Sequence, residues 1–281
     1  MIKSMTGYSN KTLNFQNISI LIQIKSENSK NIDIYLIDES NNLSLGEDIR
    51  RKIEAALNRG KIKVILEIEF IDSYKHIEKI KNQINKYLKI IDSDKINMNI
   101  SYSEINELLN IEKIKILKRK DIRGKIIGLL NECIVDLIQK QTDEGKVIIR
   151  SVNSKITKIE SIKNNFRRKF RLYSKKLEKK YIKEISQIGE FSNQKKDISP
   201  MIEKIDIEEE IVRLESHLNA IKKIIKKNKG NIGLTLDFYM QEINREANTL
   251  SSKSKDPKLS EDSIKIKSLV NQIRELSANL A

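Results

Sequence analysis

The sequence predicts an α+β fold: an N-terminal mixed strand and helix domain, followed by long helices and a C-terminal helical hairpin or bundle. Three observations predict it. Two-residue alternation of apolar and polar side chains is confined to the first 70 or so residues. Three- and four-residue apolar spacing dominates from about residue 74, and from about 121 onward nothing resembles a strand. The expected domains are 1–120 (α+β), 121–190 (a long helical connector and oligomerisation region) and 198–281 (a helical domain).

"NISILIQIKS" (17–26) alternates and reads as a half-buried strand, with "NIDIYLI" (31–37) as its hairpin partner across an ENSK turn. "LGEDIRRKIEAALNR" (45–59) reads as a helix ended at Gly60, and "KIKVILEIEF" (61–70) returns to strand alternation. Helical patterns follow at about 74–92 and 104–118. Between 143 and 188, Val152, Ile156, Ile159, Phe166, Phe170, Leu177 and Ile185 suggest one long helix with a continuous apolar seam. So long a seam is hard to cover within one chain, which predicts an oligomer. Residues 189–200 lose the period and end at Pro200, the expected break. Beyond it, Ile207, Ile211, Leu214, Leu218, Ile221 and Ile225 form the seam of a helix with Asp206 as its N-cap. A turn at 228–233 makes 206–250 a helical hairpin.

The net charge of +15 (54 Lys and Arg against 39 Asp and Glu) suits a nucleic-acid partner. An AT-rich coding bias toward Lys, Ile and Asn produces the same sign, so charge alone decides little. No apolar run approaches the roughly 18 residues of a membrane span, and the start carries no apolar signal region. A cytoplasmic protein with no membrane partner is expected. The single cysteine, Cys133, sits in a helical pattern and reads as a buried structural thiol.

"DFYMQEINREANTLSSKS" (237–254) is the least ordinary stretch. One helical face is apolar, while the rest mixes acids, amides, bases and hydroxyls. Glu242 and Glu246 stand one turn apart, so both carboxylates can reach one cation. With two histidines and no cysteine pair, a tetrahedral zinc site is disfavoured, and Mg²⁺ or Mn²⁺ fits a carboxylate pair better. Arg213 and Arg245 suit phosphate oxygens and His217 suits proton transfer. An ordinary salt-bridged helix carries such pairs too. The basic run Arg167, Arg168 and Arg171 to Lys180 is either a solvated coiled-coil face or a track for phosphates.

The same stretch, "LDFYMQEINREANTLSSKSKD", closely resembles the C-terminal signature of the bacterial YicC/YloC family, commonly LDFLLQEMNREANTLGSKS. "EEEIVRLESHL" is similar to that family's EELDRLRSHL, "MIKSMTGYS" to its MIRSMTGFG opening, and "LNRGKIKVILEI" to its LxRGKVEVxL segment. The resemblance implies a divalent-metal-dependent endoribonuclease acting in RNA turnover, with RNA as partner. It also implies a homo-oligomer, expected to be a hexamer. It marks Glu210, Arg213, His217, Asp237, Gln241, Glu242, Asn244, Arg245, Glu246, Asn248, Thr249 and Lys253 as motif residues. Their physical assignments are Glu242 and Glu246 for metal, His217 with both for catalysis, and Arg213, Arg245 and Lys253 for phosphate, with Arg167, Arg168 and Arg171 as further RNA contacts. Glu210, Asp237, Gln241, Asn244, Asn248 and Thr249 are supporting polar groups.

Departures from the family pattern concentrate at 23–30, where EIRSVNHR is replaced by "QIKSENSK". Gln23 stands for an acid, Ser29 for a histidine, and Lys25 and Lys30 for arginines, which forfeits bidentate phosphate contacts. These changes keep a second class in view: a non-catalytic RNA-binding adaptor oligomer that delivers RNA to other RNA-degradation proteins.

Overall fold

The computed structural model describes residues 2–29, 31–38, 42–57, 59–90, 102–188, 207–227, 232–254 and 256–280. Two compact units emerge, Met5–Gln141 and the remainder from Thr142 to Ala281 joined by Met1–Ser4. One helix runs through the boundary.

In the first unit four strands form one sheet in the order β1 (Gly7–Phe15), β2 (Ile18–Glu27), β4 (Gly60–Phe70), β3 (Ile32–Asp38). β1 and β2 pair antiparallel, as do β2 and β4, whereas β3 lies parallel to β4 with Leu36 opposite Val64. The expected hairpin between 17–26 and 31–37 is therefore wrong. Parallel neighbours need a crossover, and helix α1 (Leu43–Ala56) supplies one between β3 and β4. β4 can then lie beside β2, where its buried Ile62, Val64, Leu66 and Ile68 extend the apolar face of Ile18, Ile20, Ile22 and Ile24.

β1 escaped the sequence reading because it is an edge strand whose only buried side chain is Ser9. Its turn into β2 is made by Gln16 at a φ of 55°, without the usual glycine signal. The Ser9 hydroxyl donates to Asp136 at 2.7 Å and receives the Cys133 thiol at 3.2 Å. Cys133 is fully buried, and burial pushes its thiol pKa up, as a structural thiol requires.

Helices α2 (Ser73–Ile90) and α3 (Tyr102–Leu117) precede α4, which extends unbroken from Lys120 to Ile188. The second unit adds α5 (Glu208–Lys227), α6 (Ile232–Lys253) and α7 (Pro257–Ser277). Asp256 caps α7, accepting from the Lys258 amide at 2.8 Å ahead of Pro257. Asp206, 189–200, Lys30 and most of the 228–233 turn lie outside the described residues.

The α4 seam is covered by the same chain, contrary to the expectation that it needs another subunit. Ile148, Val152, Ile156, Ile159, Phe166 and Phe170 share one core with Ile211, Leu214 and Leu218 of α5, Met240, Ile243 and Ala247 of α6, and Ile266, Val270 and Ile273 of α7. The hydrophobic cluster shared with these helices buries what a lone helix would expose. Further along, Leu177 is only half-buried, and the side chain of Ile185 is not among those described. Close backbone approach fixes this bundle at two glycines. A Cβ at Gly145 would stand 2.7 Å from the Ile2 carbonyl oxygen, and one at Gly233 would stand 2.5 Å from that of Ser277.

Candidate active site

Helix α5 presents two polar flanks beside one buried face. On the flank toward α4, Glu208, Glu215 and Lys222 recur every seven residues. They meet Arg167, Lys163 and Glu160 in turn: Arg167 pairs with Glu208, Lys163 approaches Glu215 at 3.4 Å, and Lys222 donates to Glu160 at 2.6 Å. This is the charge pattern that coiled coils place beside an apolar seam.

The other flank, Glu210, Arg213 and His217, faces α6. Lys253 donates to Glu210 at 2.9 Å, Arg213 lies 3.9 Å from Glu246 and also pairs with Glu209, and the His217 ring stands 5.9 Å from that of Tyr239. Glu210 and Glu246 are 6% and 7% exposed, so two carboxylates are buried within one helix–helix seam. One oxygen of Glu210, Oε2, is buried without a hydrogen-bond partner. Burial pushes the Glu246 carboxyl above its ordinary range; Arg213 opposes this, Glu210 and Glu242 add to it, and His217 counters. Glu242 is paired with Arg245 at 2.9 Å at the solvent edge.

The polar residues of α6 do not form one set. At about 100° per residue, Asp237, Gln241, Asn244 and Asn248 fall on one flank, and Glu242, Glu246, Thr249 and Lys253 on the other. Asp237 accepts from Arg274 of α7 at 2.7 Å and from Gln241 at 2.8 Å, and Arg274 holds its carboxyl below the ordinary range. This flank joins α6 to α7. The other joins α6 to α5, and on it the Thr249 hydroxyl donates back to the Arg245 carbonyl at 3.2 Å.

The basic run on α4 is partly committed elsewhere. Arg167 belongs to the ladder with Glu208, Arg168 donates to Asn165 at 3.1 Å, and Lys169 pairs with the buried Asp262 at 2.7 Å. Arg167 and Arg171 nevertheless line a cleft of about 300 Å³ with Phe170, Ser174, Lys175, Ile207 and Glu208. In the other unit, Gln23 is half-buried on β2, Lys25 pairs with Glu27 at 2.7 Å and Ser29 donates to Asp33 at 3.3 Å.

For a divalent cation, the suitable donors are Glu242 and Glu246. Among the described residues no three His, Cys, Asp or Glu side chains converge into a complete ligand cage. Two carboxylates one turn apart fit the habit of Mg²⁺, which keeps several waters and takes one or two protein carboxylates beside substrate phosphate. Burial raises the Glu246 pKa, with Glu210 and Glu242 adding to it, and a cation beside the carboxyl would favour its ionised form.

Residues 2–150 match the description "Endoribonuclease YicC-like, N-terminal region", and residues 157–281 match "Endoribonuclease YicC-like, C-terminal". The chain belongs to the YicC-like endoribonuclease family. Among curated relatives, the "Probable endoribonuclease YicC" of Clostridioides difficile is 25% identical over 300 residues, covering the whole of both chains. That of Haemophilus influenzae is 24% identical over 289 residues, again end to end. Within the family frame, the sequence reading missed two features of this site. The buried Glu210–Lys253 pair was legible only as a motif, because a lone Glu on a helix gives no sign of burial. The seven-residue spacing of Glu208, Glu215 and Lys222 was there to be read and separates the structural charges from the rest.

Proposed function

We propose that this chain is a divalent-cation-dependent endoribonuclease of RNA turnover, with its reaction centre on the α5–α6 flank. The observation that carries the reading is Glu246, a carboxylate buried between helices and raised in pKa, facing Arg213 with Glu210, Glu242 and His217 around it. Among the described residues, the only ion pair of Glu246 is the loose 3.9 Å approach of Arg213, unlike the closer pairs of the α4 flank. Mg²⁺ or Mn²⁺ held by Glu242 and Glu246 would supply charge neutralisation at phosphorus and a more acidic bound water.

The chain's own groups supply the remainder. Arg245 is exposed and, among the described residues, pairs with its helical neighbour Glu242, so it can turn its guanidinium to a phosphate oxygen. Arg213, shared between Glu209 and Glu246, can move the same way. The half-buried His217 imidazole lies beside the acids, where it can give or take a proton at the attacking or leaving oxygen. Lys253 keeps Glu210 in place and adds positive charge at the seam's end.

RNA is the partner, and the +15 charge favours it. A cytoplasmic homo-oligomer, a hexamer by family resemblance, is part of the reading. Val135, Val147, Leu172 and Ile182 leave α4 with exposed apolar side chains for subunit contact. No helix among the described residues is long and apolar enough to cross a membrane.

The test is incubation of purified structured RNA with the full chain in Mn²⁺, Mg²⁺ or EDTA. Internal cleavage that needs the cation is expected. Binding without cleavage under every condition would overturn the reading in favour of the adaptor, the class that the substitutions at Gln23 and Ser29 favour.

A further inference from the structure

Phe238 lies one helical turn before Glu242 and two turns before Arg245, on the outward side of α6. It is 57% exposed, and Leu234, one turn earlier, is 68% exposed. The Phe238 ring is not loose on the surface: it meets Tyr239 edge-on, centroids 5.5 Å apart and planes at 77°, and Tyr239 in turn meets His217. Three rings thus run from the solvent-facing side of α6 to the histidine of the α5–α6 flank.

We infer that Phe238 is a stacking platform for an unpaired base of the RNA substrate, adjoining the phosphate bound at Arg245. This rests on the endoribonuclease reading above and names its substrate class: RNA that is single-stranded beside the scissile bond. An aromatic face offers a base a contact that every base can use, whatever the sequence. In a duplex both faces of each base are occupied by neighbours, so such a platform is useful only to an unstacked nucleotide. Exposed apolar contact beside the exposed Arg245 guanidinium also suits a nucleotide, which is apolar on its base and anionic on its phosphate. A subunit interface is the competing occupant. Two exposed apolar side chains, bordered by Gln241, Glu242 and Arg245, give it little apolar area and several charges to desolvate.

The platform is tested with the full chain and a single-stranded RNA oligonucleotide carrying one 2-aminopurine, alone or annealed to its complement, in EDTA so that binding is read without cleavage. The wild-type chain should quench the 2-aminopurine and bind the single strand more tightly than the duplex. Phe238→Ala should lose the quench and weaken single-strand binding on the order of tenfold, and Phe238→Tyr should restore both. With Mn²⁺ present, Phe238→Ala should raise KM with kcat held within about twofold. An unfolded variant is recognised by its helical circular dichroism, and Phe238→Leu, which keeps apolar bulk without an aromatic face, then carries the comparison: a lost quench supports the platform and a retained one overturns it. Undiminished binding and quench by a folded Phe238→Ala would overturn the proposal. So would a fall in its oligomeric mass by light scattering, which would make Phe238 a subunit contact. Stacking without cleavage in any cation would sink the endoribonuclease reading and leave the platform standing; cleavage with Phe238→Ala binding intact would do the reverse.

Discussion

The two flanks of α5 are built from the same kinds of residue and end in opposite states. Toward α4, each charge meets one opposite charge at heptad spacing: Glu208 with Arg167, Glu215 with Lys163, Lys222 with Glu160. Toward α6, Glu210 pairs with Lys253, Glu246 is approached by Arg213 and Glu242 pairs with Arg245, with one Glu210 oxygen lacking a partner and the Glu246 carboxyl raised in pKa. The first pattern gives each charge an opposite partner and holds helices in register, although Arg167 Nε there is also buried without a hydrogen-bond partner. The second buries two carboxylates in one seam, Glu210 held by Lys253 and Glu246 met more loosely by Arg213 at 3.9 Å. Counting charges on a helix cannot separate the two cases; asking whether each buried charge has its own partner can.

The comparison breaks most sharply at Glu246. Glu246→Gln, and equally Glu242→Gln, should lower single-turnover cleavage by about 10³-fold or more, since a lost cation ligand forfeits several kcal/mol of transition-state stabilisation. RNA affinity in EDTA should stay nearly constant. Glu246→Gln should not lower the melting temperature at neutral pH, because it removes the cost of ionising a buried carboxyl. The sign follows from linkage: with its folded pKa above the unfolded value, the native state holds the proton more tightly. Stability then falls as pH rises between the two values. Wild-type cleavage by either variant with the oligomer intact would dissolve the distinction between the flanks.

His217→Ala comes next, at about 10²-fold in cleavage rate if the imidazole only transfers a proton. A change confined to KM would reassign the ring to packing against Tyr239. A smaller effect concerns Arg213, the main group holding the Glu246 pKa down. Arg213→Gln should move the acid limb of the pH–rate profile to higher pH, because Glu246 then needs less acid to become protonated. An unmoved limb would mean that some other group sets it.

Much of this arrangement was legible in the sequence, and unequally so. The helices were readable because Leu214, Leu218, Ile221, Met240, Ile243 and Ala247 keep strict helical spacing, and each is buried. Strand neighbours were not, since β2 and β3 are close in sequence while β4 reaches β2 only through the α1 crossover. Hydrophobic alternation reports which face is buried and says nothing about which strand lies alongside. At the site, spacing put Glu242 and Glu246 together and put Glu210, Arg213 and His217 together. That Asp237 and Gln241 turn to Arg274 instead depends on where α7 docks, a tertiary fact. Arg167 was read as an RNA contact because its partner Glu208 lies 41 residues away in the chain.

The smallest expected effect is the control that gives the others meaning. Glu215→Gln and Lys222→Gln, on the α4 flank, should each change stability by under about 1 kcal/mol and leave cleavage at the wild-type rate. Glu215 is half exposed and meets Lys163 at a loose 3.4 Å, and Lys222 is 40% exposed. Losing Lys222 leaves the partly exposed Glu160 free to hydrate. Lys163 is the exception within the ladder: its side chain is only 8% exposed. Glu215→Gln leaves that ammonium with an amide oxygen, whereas Glu215→Leu would leave it facing an apolar group. A larger stability loss in Glu215→Leu than in Glu215→Gln, with both still cleaving RNA normally, would show that this flank acts on folding alone. Chemical denaturation with the cleavage assay on the same preparations decides it: a rate loss in the Gln variants would mean that the α4 flank shares in catalysis and that the contrast between the flanks is false.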